Sequence, residues 1–168
     1  MASSQLECWN KVHVLQMKPE LTLPMDADKL IPHREPVCMV DRLIEYEDQA
    51  GTVEAVVSSE NALVEDNGQL DQLAVAEMIA QACAAAKGYE GRLSNDPMKL
   101  GYLVGIKKLQ FFGKAFVGDK LQISVRTVGA ISGFTVVEGK VICNKKIIAA
   151  GKIKLWVPEP ELSGVASG

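Results

Sequence analysis

The chain has 168 residues, 48% of them apolar and 23% charged, with a formal net charge of −3. That size and mix suit one globular domain with a single core. The slightly acidic balance offers no argument for nucleic acid or an anionic membrane surface as a partner, and no apolar run approaches the ~20 residues of a membrane span.

Residues 1–24 read as an irregular arm holding a short strand around Trp9 to Met17, with Pro19 and Pro24 breaking any longer element. The first residues, MASSQLECWNKVHV, lack a basic segment followed by an apolar core, so no secretory signal is expected. A domain over 25–158 follows, and 159–168, ending SGVASG, reads as a flexible tail. Within the domain, Met25 to Leu30 forms a short helical turn that stops before Pro32. Val37 to Glu47 and Thr52 to Ser59 are two extended segments joined by a hairpin connection at Asp48 to Gly51. Asn61 to Gln69 is polar and turns at Asp66-Asn67-Gly68, delivering the chain to a helix whose first turn carries Asp71. Gly88 is placed to end that helix. Four strands follow as a meander: Lys99 to Phe112, Lys120 to Ile131, Phe134 to Cys143 and Ile147 to Val157. The alternation in LQISVRTV and TVVEGKVIC marks half-buried antiparallel pairing.

The helix, LDQLAVAEMIAQACAAA, is apolar nearly all round and must be enclosed. Its small residues, from Ala74 to Ala86, let a sheet approach closely. The fold class is therefore α+β: a hotdog fold, a long central helix wrapped by a curved antiparallel sheet of about six strands. Glu77 is the only carboxylate or amine side chain between Asp71 and Lys87. Burying a lone carboxylate costs several kcal/mol, roughly 2 or more even where partly compensated. Glu77 is therefore the first catalytic candidate, at a wet edge or kept for chemistry. The four cysteines, at 8, 38, 83 and 143, form no CxxC pair, so neither zinc nor a disulfide framework is expected, and a reduced, cytoplasmic protein fits.

Leu30-Ile31-Pro32-His33-Arg34-Glu35-Pro36, followed by Met39-Val40-Asp41-Arg42-Leu43, resembles the LPHRxP...VDR opening of the FabZ-type 3-hydroxyacyl-acyl carrier protein dehydratases. Ala76 to Gln81 resembles their EAxAQ helix segment. Leu103 to Ile106 and Val117 to Leu121 resemble the later strand pair with its PGD turn. These dehydratases carry a His-Phe-Pro-Gly segment whose histidine, the catalytic base, lies roughly fourteen residues before the helix glutamate. That count from Glu77 reaches Leu63, so the histidine is missing here. The pattern is closer to a divergent dehydratase-like subfamily found beside aryl-polyene and other polyketide-type lipid clusters.

The resemblance implies dehydration of a phosphopantetheine-linked (R)-3-hydroxyacyl chain, carried by acyl carrier protein or CoA, in fatty-acid or polyketide-like lipid synthesis. It implies no metal or redox cofactor, and a homodimer or higher homo-oligomer with the site between protomers. Glu77 carries over as the catalytic acid/base group, and the helix-start amides of Gln72 and Leu73 become donors to the thioester oxygen. Asn61, His33 and Gln81 are possible polar partners. The family assigns the PHR histidine no catalytic role, turn chemistry suits Asn61, and a structural hydrogen bond suits Gln81. Arg34, Asp41 and Arg42 are expected to brace the first strand as an ion-pair set, and His13 to lie on the surface. A thioesterase using Glu77 to activate water, and a non-catalytic partner subunit of a complete dehydratase, are the competing functions.

Overall fold

The structure, a computed structural model, describes residues 21–96, 99 and 101–158. The strand expected at Trp9 to Met17, His13 and the 159–168 tail lie outside them. In chain order the elements are β1 (Met25–Asp26), a 3-10 turn (Ala27–Lys29), β2 (Arg42–Glu47), β3 (Ala50–Val56), α1 (Gln72–Ser94), β4 (Tyr102–Phe111), β5 (Lys120–Ile131), β6 (Phe134–Cys143) and β7 (Lys146–Trp156). Among the described residues all pairings are antiparallel, in one seven-stranded sheet of order β1-β2-β3-β5-β6-β7-β4. The sheet curls around α1 in the hotdog arrangement.

Alternation fixes which side chains meet the helix. Leu121, Ile123 and Val125 of β5 and Val137, Val141 and Cys143 of β6 point inward and are buried, while their neighbours stay wet. Met78 and Ile79 of α1 meet this layer, each at most 1% exposed. Burying a side chain of that kind contributes roughly 2 kcal/mol. Asp71 caps the helix: its Oδ1 accepts from the Leu73 amide at 2.6 Å, satisfying one of the free donors of the first turn.

Several expectations need correction. The last four strands are not a continuous meander, because β4 pairs with β7 at the far edge while β5 pairs with β3. The chain leaves α1 after Ser94 and enters the sheet at its edge as β4. Residues 112–119 then carry it back past the helix start, held by Leu70 N to Ala115 O and by Gly118 N to Val57 O, both 2.9 Å. The helix does not stop at Gly88; it runs to Ser94, with Asn95 at φ 61 as the left-handed cap. Gly88 serves packing instead, since a Cβ there would collide with the Leu30 carbonyl. The first long strand begins only at Arg42, and the preceding 37–41 is irregular. Met25 to Leu30 is a two-residue strand plus a 3-10 turn. The Arg34, Asp41 and Arg42 set is not mutual. Arg42 pairs with Glu54 at 3.1 Å, Asp41 accepts from Val56 N at 2.8 Å, and Arg34 donates to the carbonyls of Ile31 and His33.

Candidate active site

Glu77 sits on the second turn of α1, and its side chain is 27% exposed. The carboxylate is therefore at the wet rim of an otherwise apolar helix, which removes the cost of full burial. Gln81, one turn later and 1% exposed, is its direct partner. The Gln81 Nε2 donates to Glu77 Oε1 and to Val37 O, both at 2.9 Å, while its Oε1 accepts from Met39 N at 2.8 Å. One buried amide thus ties the irregular 37–39 segment to the helix and fixes one oxygen of the acid.

His33 comes from the irregular stretch just ahead of that segment. Its Nε2 lies 3.8 Å from Glu77 Oε1, and its side chain is 24% exposed. That separation is too long for a hydrogen bond. The Nδ1 is buried with no hydrogen-bond partner among the described residues. The backbone around the ring is held by Arg34, whose Nη1 reaches Ile31 O at 2.9 Å and His33 O at 2.7 Å.

The two groups open into a channel of about 330 Å³ that runs along α1 past Ala80, Ala84, Gly88 and Gly91, with Leu103, Thr135 and Leu155 opposite. That volume lies at the small end of ordinary ligand sites. Lys87, Glu90, Ser94, Asp96 and Lys99 line its far part. At that end burial works against the Lys87 ammonium, but the Glu90 carboxylate 2.6 Å away prevails and holds its pKa above the ordinary lysine value. Sequence reasoning read the helix alanines only as packing against the sheet and missed these channel residues. The signal was the run of small side chains three and four residues apart on the face of Glu77. Cys83 also lines the channel, but burial pushes its thiol up to about 11, so no thiolate nucleophile is on offer near neutral pH.

The other expected site residues fall elsewhere. Asn61 Oδ1 accepts from Leu63 N at 2.9 Å, which is turn chemistry inside its own loop. The Leu73 amide is already given to Asp71 and is therefore not a free donor. Gln72 and Leu73 line a separate open depression with Ile106, Leu109 and Phe111 rather than the Glu77 channel. A larger open groove of about 500 Å³ lies between Thr52, Arg126 and Lys140 and shares no residue with that channel. Among the described residues no group of three His, Cys, Asp or Glu side chains is placed to hold a metal ion, and no helix is long and apolar enough to cross a membrane.

The arrangement is similar to that of known proteins. A 3-hydroxyacyl-[acyl-carrier-protein] dehydratase FabZ from Legionella pneumophila (strain Lens) is 28% identical over 138 residues, covering 73% of this chain and 89% of that protein. Among solved structures, the dehydratase heterocomplex ApeI:P from Xenorhabdus doucetiae superposes with a TM-score of 0.73 at 21% identity, over 80% of this chain and 92% of that one. A hypothetical thioesterase protein with coenzyme A from Streptococcus pneumoniae TIGR4 shares the fold more distantly, with a TM-score of 0.52 and 12% identity over 69% of this chain and 84% of that one. The ApeP-like family, described as ApeP dehydratase, matches residues 25–166. A match over nearly the whole hotdog domain, with Glu77 and Gln81 joined inside it, means that the chain belongs to the ApeP-like dehydratase family.

Proposed function

We propose that the protein dehydrates 3-hydroxyacyl thioesters presented on a phosphopantetheine arm, with Glu77 as the group that moves the proton. The observation that carries this reading is the Glu77 carboxylate, whose Oε1 accepts from Gln81 and which lines the channel together with His33. The reaction removes a proton from C2 and hydroxide from C3. The C2–H electron pair becomes the second bond of C2=C3 while the C3–O pair leaves with the oxygen. A carboxylate that takes the C2 proton and returns it to the departing oxygen closes the balance, giving the 2-enoyl thioester and water. The small-residue wall of Ala80 and Ala84 leaves room for the acyl chain along the helix.

The substrate calls for no metal or redox group in this scheme, and a carrier-linked acyl chain places the work in the cytoplasm. Among the described residues, edge strand β4 pairs only with β7 and exposes Tyr102, Val104 and Ile106. Pairing of that edge with a second copy would cover both its backbone groups and its apolar side chains.

The test is mass-spectrometric detection of products after incubation with 3-hydroxyacyl- and plain acyl-pantetheine thioesters, with Glu77→Gln in parallel. Loss of water in the wild type only, with a fall of ~10³-fold in the variant and an unchanged or higher melting temperature, is the expected result. Released acid from the plain thioester would establish a thioesterase instead. A second reading is favoured by Leu63, which stands where the FabZ-type dehydratases have their histidine. In that reading the chain is the partner subunit of a complete dehydratase. Silence on both substrates, broken only by adding a histidine-bearing hotdog chain, is its signature.

A further inference from the structure

We infer that His33, from the same chain as Glu77, is the second catalytic group of the site and acts as a neutral hydrogen-bond donor through Nε2–H. The inference rests on the dehydratase reading. The 3.8 Å between His33 Nε2 and Glu77 Oε1 leaves the two groups unbonded to each other. One oxygen placed about 2.8 Å from each satisfies both. The 3-hydroxyl of a bound thioester is such an oxygen: it lies on the atom next to C2, whose proton Glu77 takes.

The ring's other nitrogen decides the role. A histidine that works as a base must carry protons on both nitrogens after the transfer, and its Nδ1–H then needs an acceptor. The buried Nδ1 of His33 has none among the described residues. An unpaired buried polar atom costs about 1–3 kcal/mol whether it donates or accepts, and more when it belongs to a charged group, so a doubly protonated ring is the form that fits worst. Of the neutral forms, the one with the hydrogen on Nε2 faces the Glu77 carboxylate, an acceptor, while Nδ1 faces none among the described residues. That form donates a hydrogen bond without giving up its proton. In the elimination, C2–H is cleaved by the Glu77 carboxylate, and the C3–O bond breaks with its electron pair going to oxygen. Glu77 then hands the same proton to that oxygen to release water. His33 stabilises the negative charge growing on the leaving oxygen and ends as it began. Arg34 is a positioning residue, since its guanidinium pins the carbonyls on either side of Pro32 and so sets where the ring stands. A second copy of this chain would bring no other histidine than His33 and His13, so no histidine at the position of Leu63 competes for the task.

The purified full chain is assayed with a 3-hydroxyacyl-pantetheine thioester as wild type, His33→Ala and His33→Gln. Glutamine puts a neutral N–H close to where Nε2 stands but cannot accept and release a proton as imidazole does. Loss of one donor to developing charge lowers kcat by about 10²-fold in His33→Ala, with melting temperature near the wild type. His33→Gln regains most of that loss. An Ala variant within threefold of the wild type overturns the inference while leaving the dehydratase reading intact. A Gln variant as inactive as Ala overturns the donor role and makes the ring a base. A wild type that dehydrates nothing overturns both readings together. If either variant fails to fold, long-range nitrogen–proton NMR of the wild-type imidazole decides: a hydrogen on Nε2 alone supports the inference, and one on Nδ1 refutes it.

Discussion

Gln81→Met isolates the clamp behind Glu77. Methionine nearly keeps the volume of glutamine, so repacking costs little, under about 1.5 kcal/mol, and the change removes hydrogen bonds rather than shape. The amide it replaces makes three contacts: Met39 N to Oε1 at 2.8 Å, and Nε2 to Val37 O and Glu77 Oε1 at 2.9 Å each. Their losses are unequal. Val37 is 49% exposed, so water reaches its carbonyl, and water also reaches the part-exposed Glu77. Met39 is only 5% exposed, and its N–H is stranded, which costs about 1–3 kcal/mol. The expected destabilisation is about 2 kcal/mol, which for a chain of this size lowers the melting temperature by about 4–8 °C. The assay is urea unfolding at fixed protein concentration, since dimerisation would make the midpoint depend on concentration. A loss below about 0.5 kcal/mol with an unchanged denaturant slope would show that the Met39 amide does not depend on Gln81, and the clamp would have to be abandoned.

Gly88→Ala should destabilise by about 1–3 kcal/mol although alanine is the better helix former by about 1 kcal/mol, because the added methyl would collide with the Leu30 carbonyl; a variant at least as stable as the wild type in thermal melts would refute that close approach. Cys83 supplies a pH dependence. Its folded-state pKa is raised by burial from the ordinary 9.0 to about 11, so its contribution is fully present below pH 9 and lost as pH rises through 11. At pH 11 the loss amounts to roughly 2 kcal/mol. The difference in stability between wild type and Cys83→Ala should therefore move in favour of the variant between pH 9 and 11, and a difference that stays flat across that window would refute it.

The elements that were legible in the sequence are those whose environment is written in local periodicity. The limits of β5 and β6 agree with their alternation because each turns at residues that accept a left-handed backbone, Ser132 at φ 48 and Asn144 at φ 49. Strand partners were not legible. The alternating burial of β4 is satisfied equally beside β5 or beside β7, and local periodicity does not select between them; β4 pairs with β7. Gly88 was misread for a related reason, since a glycine needed for a left-handed cap and one needed for close contact look the same in one dimension. At the site, Glu77 stood out as a lone acid in an apolar helix, and Gln81 as its neighbour one turn on. His33 was named among the possible polar partners, but not its place beside the acid, because it stands 44 positions before Glu77 and the irregular 32–41 segment that brings it there has no periodicity to follow.

The loop that lacks the family's histidine shows why fold and chemistry separate here. Both backbone polar groups of Leu63 are bonded: its N–H is taken by the Asn61 side chain and its carbonyl accepts from Asp71 N, both at 2.9 Å. Asp71 in turn caps α1 through Leu73. None of these bonds uses the side chain at 63, so a change from histidine to leucine there leaves the approach to the helix and the placement of Glu77 intact. The leucine side chain adds instead to the apolar cluster against which it packs. The hotdog frame around α1 is therefore held by bonds that do not depend on which side chain stands at 63. Its activity then depends on whether another polar group faces Glu77, and among the described residues the imidazole facing it is that of His33.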